Sequence, residues 1–274
     1  MLEETRPDGH GRAKGLVSSR ESGRRVEART FAPSAALRGV VEAYWVTRWD
    51  LHDQPPHVAE LLTDPCVSVV LEAGQSRVVG VSTRLFRREL RERGLMRAVK
   101  LRAGAARALL GDVPLVSLSD RRVPFAELLG AAPEALEAQV LGEADDTRAL
   151  AALEAWLHAR LRRPLDPKVT LAAGLVERAT REPELRTVDA LARAGGLTVR
   201  PLQRLFRDYV GASPKWVLRR ERLRTAALRL EQGLTVSLAE LAAELGYADH
   251  AHLTRDFRAA TGRAPTDFAR VVWR

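Results

Sequence analysis

The chain has 274 residues, of which 46% are hydrophobic and 29% charged, and 44 Lys and Arg against 35 Asp and Glu give it a net charge of +9. That length suits two domains rather than one, with enough apolar residues for ordinary cores. Cys66 is the single cysteine, which excludes an intrachain disulfide and a thiolate metal cluster; its apolar run, Cys66 to Leu71, reads as core.

No stretch approaches the roughly 18 apolar residues of a membrane span, and no signal-peptide core is present, so a cytoplasmic protein with no membrane partner is expected. The charge is unevenly spread. Residues 187–274 hold fifteen Lys and Arg against nine Asp and Glu, a net of +6. Residues 1–30 contribute +2 and the middle only +1. The basic excess therefore sits in the C-terminal third, where it would favour a nucleic-acid partner.

Residues 1–30 are rich in Arg, Gly, Glu and Ser without hydrophobic periodicity, and read as a disordered tail. From Phe31 to Leu118 the pattern changes to short runs. Trp45 to Trp49, His57 to Leu62, Cys66 to Leu71, Arg77 to Val81, Met96 to Leu101 and Val113 to Leu118 read as strands, with turn signals at Asp64-Pro65 and Gly74-Gln75. Such spacing predicts a β-sandwich or barrel rather than a parallel sheet. His52 and His57 are the only candidate metal ligands there, without an H-x-H pair or a third histidine, so no metal and no other cofactor is expected. Trp45 and Trp49 read as core or pocket wall, and Gly104 and Gly111 as turn residues.

From Pro124 the chain turns helical. Phe125 to Leu129 is short, and Pro133 opens a second helix through about Leu141. Leu150, Leu153, Leu157 and Leu161 stripe a third. That stripe either packs on its own barrel or pairs two copies of the chain. Arg162 to Pro167 marks a break, after which Leu171 to Ala179 begins a further helix. The expected division is a tail (1–30), a β-barrel domain with C-terminal helices (31–164) and an all-α domain (165–274).

The last part repeats itself. Val188-Asp-Ala-Leu191-Ala192 with Gly196 matches Leu238-Ala-Glu-Leu241-Ala242 with Gly246 at an offset of fifty residues. Leu202-Gln-Arg204-Leu-Phe206-Arg207 matches Leu253-Thr-Arg255-Asp-Phe257-Arg258 at fifty-one, and Gly211 and Pro214 match Gly262 and Pro265 in the same register. The one-residue shift falls in the turn, where an insertion costs least. Leu238, Leu241, Ala242 and Leu245 stripe the first helix of the second copy. Asp249 caps the next helix, Leu253, Phe257 and Ala260 face inward, and Gly262 closes it. In the first copy Thr198 is the N-cap and Leu202, Leu205, Phe206 and Tyr209 face inward. Pro201 biases Arg200 away from helical angles, so that helix is expected to start a residue or two later. A tandem helix-turn-helix follows, joined by a helix from about Val217 to Leu230 with Leu218, Leu223, Ala226, Ala227 and Leu230 inward. The run Arg219-Arg220-Glu221-Arg222 reads as a solvated face or a phosphate contact.

These residues carry a family resemblance. With the Gly-Ala-Ser-Pro-Lys-Trp stretch from Gly211 and the run from Gly246 to Pro265, the segment from Thr187 onward resembles the DNA-binding domain of AraC/XylS-type transcription regulators. The N-terminal part resembles, more loosely, the sensor region of some members, which implies a cupin-like barrel. By the resemblance Arg200, Gln203 and Arg204, and His250, Ala251, Thr254 and Arg255, occupy base-reading positions. Arg207 and Arg258 lie farther along the same outward faces, with Arg207 placed to meet phosphate. Arg can bind guanine, and Gln adenine, through two hydrogen bonds. Ala251 departs from the polar residues of the family, so the second unit reads less sequence or touches a thymine methyl.

The reading is an α+β protein that binds duplex DNA in two adjacent major grooves and is not an enzyme. An effector, RNA polymerase and a second copy of the chain are left open as partners. The rival is a cupin-type enzyme that binds a small molecule and uses its helices only to oligomerise, but no H-E-x-x-H, G-x-S-x-G or phosphate loop supports it. A second rival, an RNA-binding or architectural protein, would bind without preference for any duplex sequence.

Overall fold

The computed structural model describes residues 2, 4–5, 26–130, 133–161, 165–233 and 237–272. Two long strands form its spine. β3 (Val41–Leu51) buries Val41, Tyr44, Val46, Trp49 and Leu51, and β8 (Glu92–Leu101) pairs with it from Val41 opposite Leu101 to Leu51 opposite Glu92. β2 (Val26–Phe31) lies outside β3, and β1 (Glu4–Thr5) outside β2. β5 (Ser68–Leu71), β6 (Arg77–Val79) and β9 (Arg122–Pro124) extend the other side, so the antiparallel sheet runs β1-β2-β3-β8-β5-β6-β9. β4 (His57–Leu61) and β7 (Phe86–Leu90) pair only with each other, as a two-stranded ribbon.

The described strands do not close into the expected barrel. β1 and β9 remain edges, and the ribbon bonds to neither. The ribbon is drawn two ways instead. Leu90 and Ala59 pack against Trp49, Leu51 and Met96 of the sheet, while Leu62 and Leu85, at its other end, pack among the C-terminal helices. The expected tail is corrected where it is described, because Glu4–Thr5 and Val26–Phe31 are strands; most of the remainder of 1–30 lies outside the described residues. The run Val113 to Leu118 is not a strand either. Pro114 removes a ladder donor, and Leu115–Leu118 forms a 3-10 turn.

Among the described residues, α1 (Arg107–Leu110) lies between β8 and β9, and α2 (Phe125–Leu129), α3 (Pro133–Leu141) and α4 (Asp146–Arg160) follow β9. The α4 stripe, Leu150, Leu153 and Leu157, is fully buried in the same core as Tyr44 and Val99. It packs on its own sheet and is not a face for a second copy. Asp146, in the first turn of α4, ties the helix down: it accepts from Arg48 (2.7 Å), Arg29 (3.0 Å) and the wholly buried Arg97 (2.7 Å). Burial alone would raise the Asp146 carboxyl; its bonds to Arg48 and Arg97 outweigh that and lower it.

Among the described residues seven further helices follow: α5 (Pro167–Arg181), α6 (Val188–Ala194), α7 (Val199–Leu205), α8 (Pro214–Glu231), α9 (Leu238–Glu244), α10 (His250–Thr261) and α11 (Pro265–Val272). No seam separates the first of them from the sheet. One core runs from Phe31 through Leu157 to Leu218, and a Cβ at Gly104 would stand 2.9 Å from that of Ala172 on α5. A second core gathers Leu223, Ala226, Leu230, Leu241, Tyr247, Leu253, Phe257 and Phe268 around Leu62. No helix of the described residues is long and apolar enough to cross a membrane.

Candidate nucleic-acid interface

Each repeat folds as two helices joined by a glycine turn. In the first, Thr187 caps α6 by accepting from the Ala190 N–H at 3.1 Å, and Gly196 turns the chain at φ 65°. α7 begins at Val199, earlier than Pro201 suggested. Proline at the third helical position forfeits no intrahelical bond, because the first N–H groups have none. Leu202, Leu205, Phe206 and Tyr209 are buried, while Arg200, Gln203, Arg204 and Arg207 are all exposed. Past Leu205 the helix widens into a π turn over Phe206–Val210, closed by the Gly211 N–H on the Phe206 carbonyl at 2.8 Å.

The second repeat is capped more fully. Ser237 and Glu240 satisfy each other's backbone N–H groups in a capping box, and Asp249 caps α10 by accepting from the His252 N–H at 2.6 Å. That bond, above all, holds the Asp249 carboxyl below its usual range. Leu253 and Phe257 are buried and Ala260 half-buried. On the other face His250, Ala251, Arg255 and Arg258 are exposed and Thr254 is half-buried. Eight of the nine residues singled out in the sequence thus lie on α7 and α10 and Arg207 on the π turn that continues α7, all exposed except the half-buried Thr254.

Their electrostatics differ. Arg207 donates to Asp208 at 2.9 Å, a bond that raises its pKa further. Arg200, Arg204, Arg255 and Arg258 are exposed, and of these Arg255 stands near enough to Asp249 for its charge to help lower that carboxyl. His252 was missed by the sequence reading. It is exposed in the first turn of α10 and meets the Tyr247 ring edge-on, with centroids 5.1 Å apart. The run Asp249-His-Ala-His252 was the available signal, since an N-cap exposes the residues that follow it.

The joining helix α8 buries Leu218, Leu223, Ala226 and Leu230, with Ala227 half-buried. Its charged run is not the solvated or phosphate-binding face expected. Arg220 is 3% exposed and donates to the carbonyls of Thr63 (2.6 Å) and Leu62 (3.1 Å) and to Asp64 and Glu221. Arg219 pairs with Asp256 at 2.8 Å, and Arg222 lies over the Tyr247 ring, 4.7 Å from its centre. In the sheet domain, His52 sits exposed beside Asp53 (3.3 Å) and Glu92 (3.5 Å), and His57 opens the ribbon.

Residues 191–270 match the family described as a helix-turn-helix domain. The C-terminal part is an AraC-type helix-turn-helix domain. Domains of the AraC type serve DNA-binding transcription regulators. Residues 29–124 match a second family, described only as a domain of unknown function, and no curated protein matches the chain. Among solved structures, an AraC-type regulator from Chromobacterium violaceum is 26% identical over 39% of this chain and 92% of that one, with a TM-score of 0.34. ToxT from Vibrio cholerae is 11% identical, covering 90% of this chain and 99% of that one, with a TM-score of 0.40. CdpR from Pseudomonas aeruginosa is 16% identical, covering 94% and 72%, with a TM-score of 0.32. The assignment of the helix-turn-helix domain rests on the family match over residues 191–270.

Proposed function

We propose that the chain is a sequence-specific regulator that reads duplex DNA with α7 and α10, one in each of two adjacent major grooves. Arg200, Gln203 and Arg204 of α7, and His250, Ala251, Thr254 and Arg255 of α10, would meet base edges; Arg207 and Arg258 would meet phosphates. The observation that carries the reading is the duplicated helix pair with its Arg-bearing face left exposed in both copies. A single such face would suit any surface helix; the same face kept open twice, at one register, suits a groove that repeats each turn.

Residues 165–274 form the reading part in this proposal, and residues 31–164 a part that senses a small effector or pairs two copies. The contact of the sheet and ribbon with both helix pairs supports that division of labour, because a change in the sheet would reach both readers. RNA polymerase is the further partner that a regulator of this kind would meet. Genome-wide occupancy of the tagged full chain tests the function. Sharp peaks that share one two-part sequence element are expected. Occupancy spread in proportion to DNA, with no shared element, would sink the proposal in favour of an architectural protein.

A further inference from the structure

Three of the contacts that the N-terminal body makes with the C-terminal helices bear on the two readers, and two of these fall at the same place in the repeat. At the corner after the first reader, Ser119 Oγ donates to the Gly211 carbonyl, and the Leu115 carbonyl lies 3.0 Å from where a Gly211 Cβ would stand. At the corner after the second, Arg263 reaches the buried Glu60 of the ribbon at 3.3 Å, and Leu85 Cδ2 lies 3.6 Å from where a Gly262 Cβ would stand. Between these corners Arg220 pins α8, with the nearby Trp216 indole N–H donating to the Thr83 carbonyl at 3.1 Å.

The central pin is the most specific of the three. Arg220 finds acceptors on three successive residues of the sheet domain, Leu62, Thr63 and Asp64. Asp64 is held in turn by Lys100 of β8, which also meets Glu42 at 2.9 Å. The pin therefore runs back to the spine of the sheet. A guanidinium is a rigid fork, so four acceptors fix its orientation as well as its position. Buried ion pairs contribute uncertainly to stability, and setting register is their best-attested use.

We infer that the N-terminal body sets the distance and rotation between the two readers, with Arg220 as the positioning residue at its centre. The preferred spacing of the two DNA elements is then a property of the whole chain and not of α8 alone. This inference rests on the DNA-reading function proposed above. It assigns Arg220 no contact with DNA.

Selection of the full chain against a pool of random duplexes tests it, with the spacing between the two enriched elements as the readout. The wild type is expected to enrich one spacing, and a one-base-pair change, about a tenth of a helical turn, to weaken binding about tenfold, within the ordinary range of couplings between two sites. Asp64→Asn should cut that penalty to about threefold or less while enriching the same two elements, and Arg220→Lys should fall between. A general loss of structure would lower affinity at every spacing and leave the profile's shape unchanged. Should Asp64→Asn fail to fold, Trp216→Phe removes the bond to Thr83 together with part of the ring's packing, leaves Arg220 and its acceptors in place, and should broaden the profile in the same direction. Variants that fold and keep the wild-type profile overturn the inference alone. A wild type that enriches no element overturns the proposed function, and the inference with it.

Discussion

Gly211 and Gly262 stand at the same point of the two repeats, and both end their helices in the left-handed region, at φ 86° and 74°. They differ in what lies beside them. A Cβ at Gly211 would press on the Leu115 carbonyl oxygen at 3.0 Å, whereas at Gly262 the nearest atom is Leu85 Cδ2 at 3.6 Å, an ordinary contact. Gly262→Ala should therefore lose only the backbone preference, about 1 kcal/mol. Gly211→Ala should lose that and a further 1 kcal/mol or so from crowding. Urea unfolding of the two variants checks the order; equal losses would mean that the Leu115 loop yields freely.

Arg204→Ala and Arg255→Ala should each weaken the selected site by about 1–3 kcal/mol and relax preference at one position. Arg207→Ala should weaken all sequences alike and flatten the salt dependence by about one unit. Because Arg207 already holds Asp208 in the free protein, its loss should cost less than that of an unpaired arginine. Binding isotherms over a range of salt, on the selected site and on random duplex, separate the two kinds of effect. Uniform loss for all three variants would mean that these arginines only hold the backbone.

Inserting about five base pairs between the two elements turns the second to the opposite face of the duplex. The readers cannot follow without pulling Leu223, Ala226 or Leu230 out of the second core, at a few kcal/mol. Affinity of the full chain should drop towards that of one element alone. A stretched site bound as tightly as the original would show that one reader is idle, and Ala251 makes α10 the one to suspect.

Asp64 gives an acid-side signature. Burial pushes its carboxyl up, but the charges of Arg220 and Lys100 outweigh this and hold its pKa at about 2. A carboxyl depressed below its unfolded value of about 3.9 stabilises the fold above that pH, and the contribution is lost as pH falls towards 2. Asp64→Asn should thus be less stable than the wild type at pH 5, with about 2 kcal/mol of that gap closing by about pH 2. Denaturant unfolding at the two pH values checks it. A gap that stays constant would mean that Asp64 titrates alike in both states.

The helical third was legible because its signals are local. The cap at Asp249 and stripes such as Leu202, Leu205, Phe206 and Tyr209 are read from neighbouring residues and lie where the spacing put them, while Thr198 precedes α7 without a side-chain cap bond. The outward faces follow from the same periodicity. The sheet was read only in part. Trp45 to Trp49 and Met96 to Leu101 alternate and are strands, but Phe86-Arg-Arg-Glu-Leu90 carries too few apolar residues to announce one. Its partner His57–Leu61 supplies the pairing, which no local pattern can reveal. Arg220 was misread for a related reason. An arginine in a charged run looks solvated, and its acceptors lie more than 150 residues earlier in the chain.

Leu62 and Leu85 are covered by Phe257, Phe268 and their neighbours, residues made nearly two hundred positions later. At about 5–20 residues per second, a ribosome takes on the order of ten to forty seconds to cover that distance. For that interval the ribbon's end is a bare apolar edge on a nascent chain. A truncated product that stops before α10 never acquires its cover, so premature termination late in the message should yield a protein that aggregates rather than a shorter regulator with one reader.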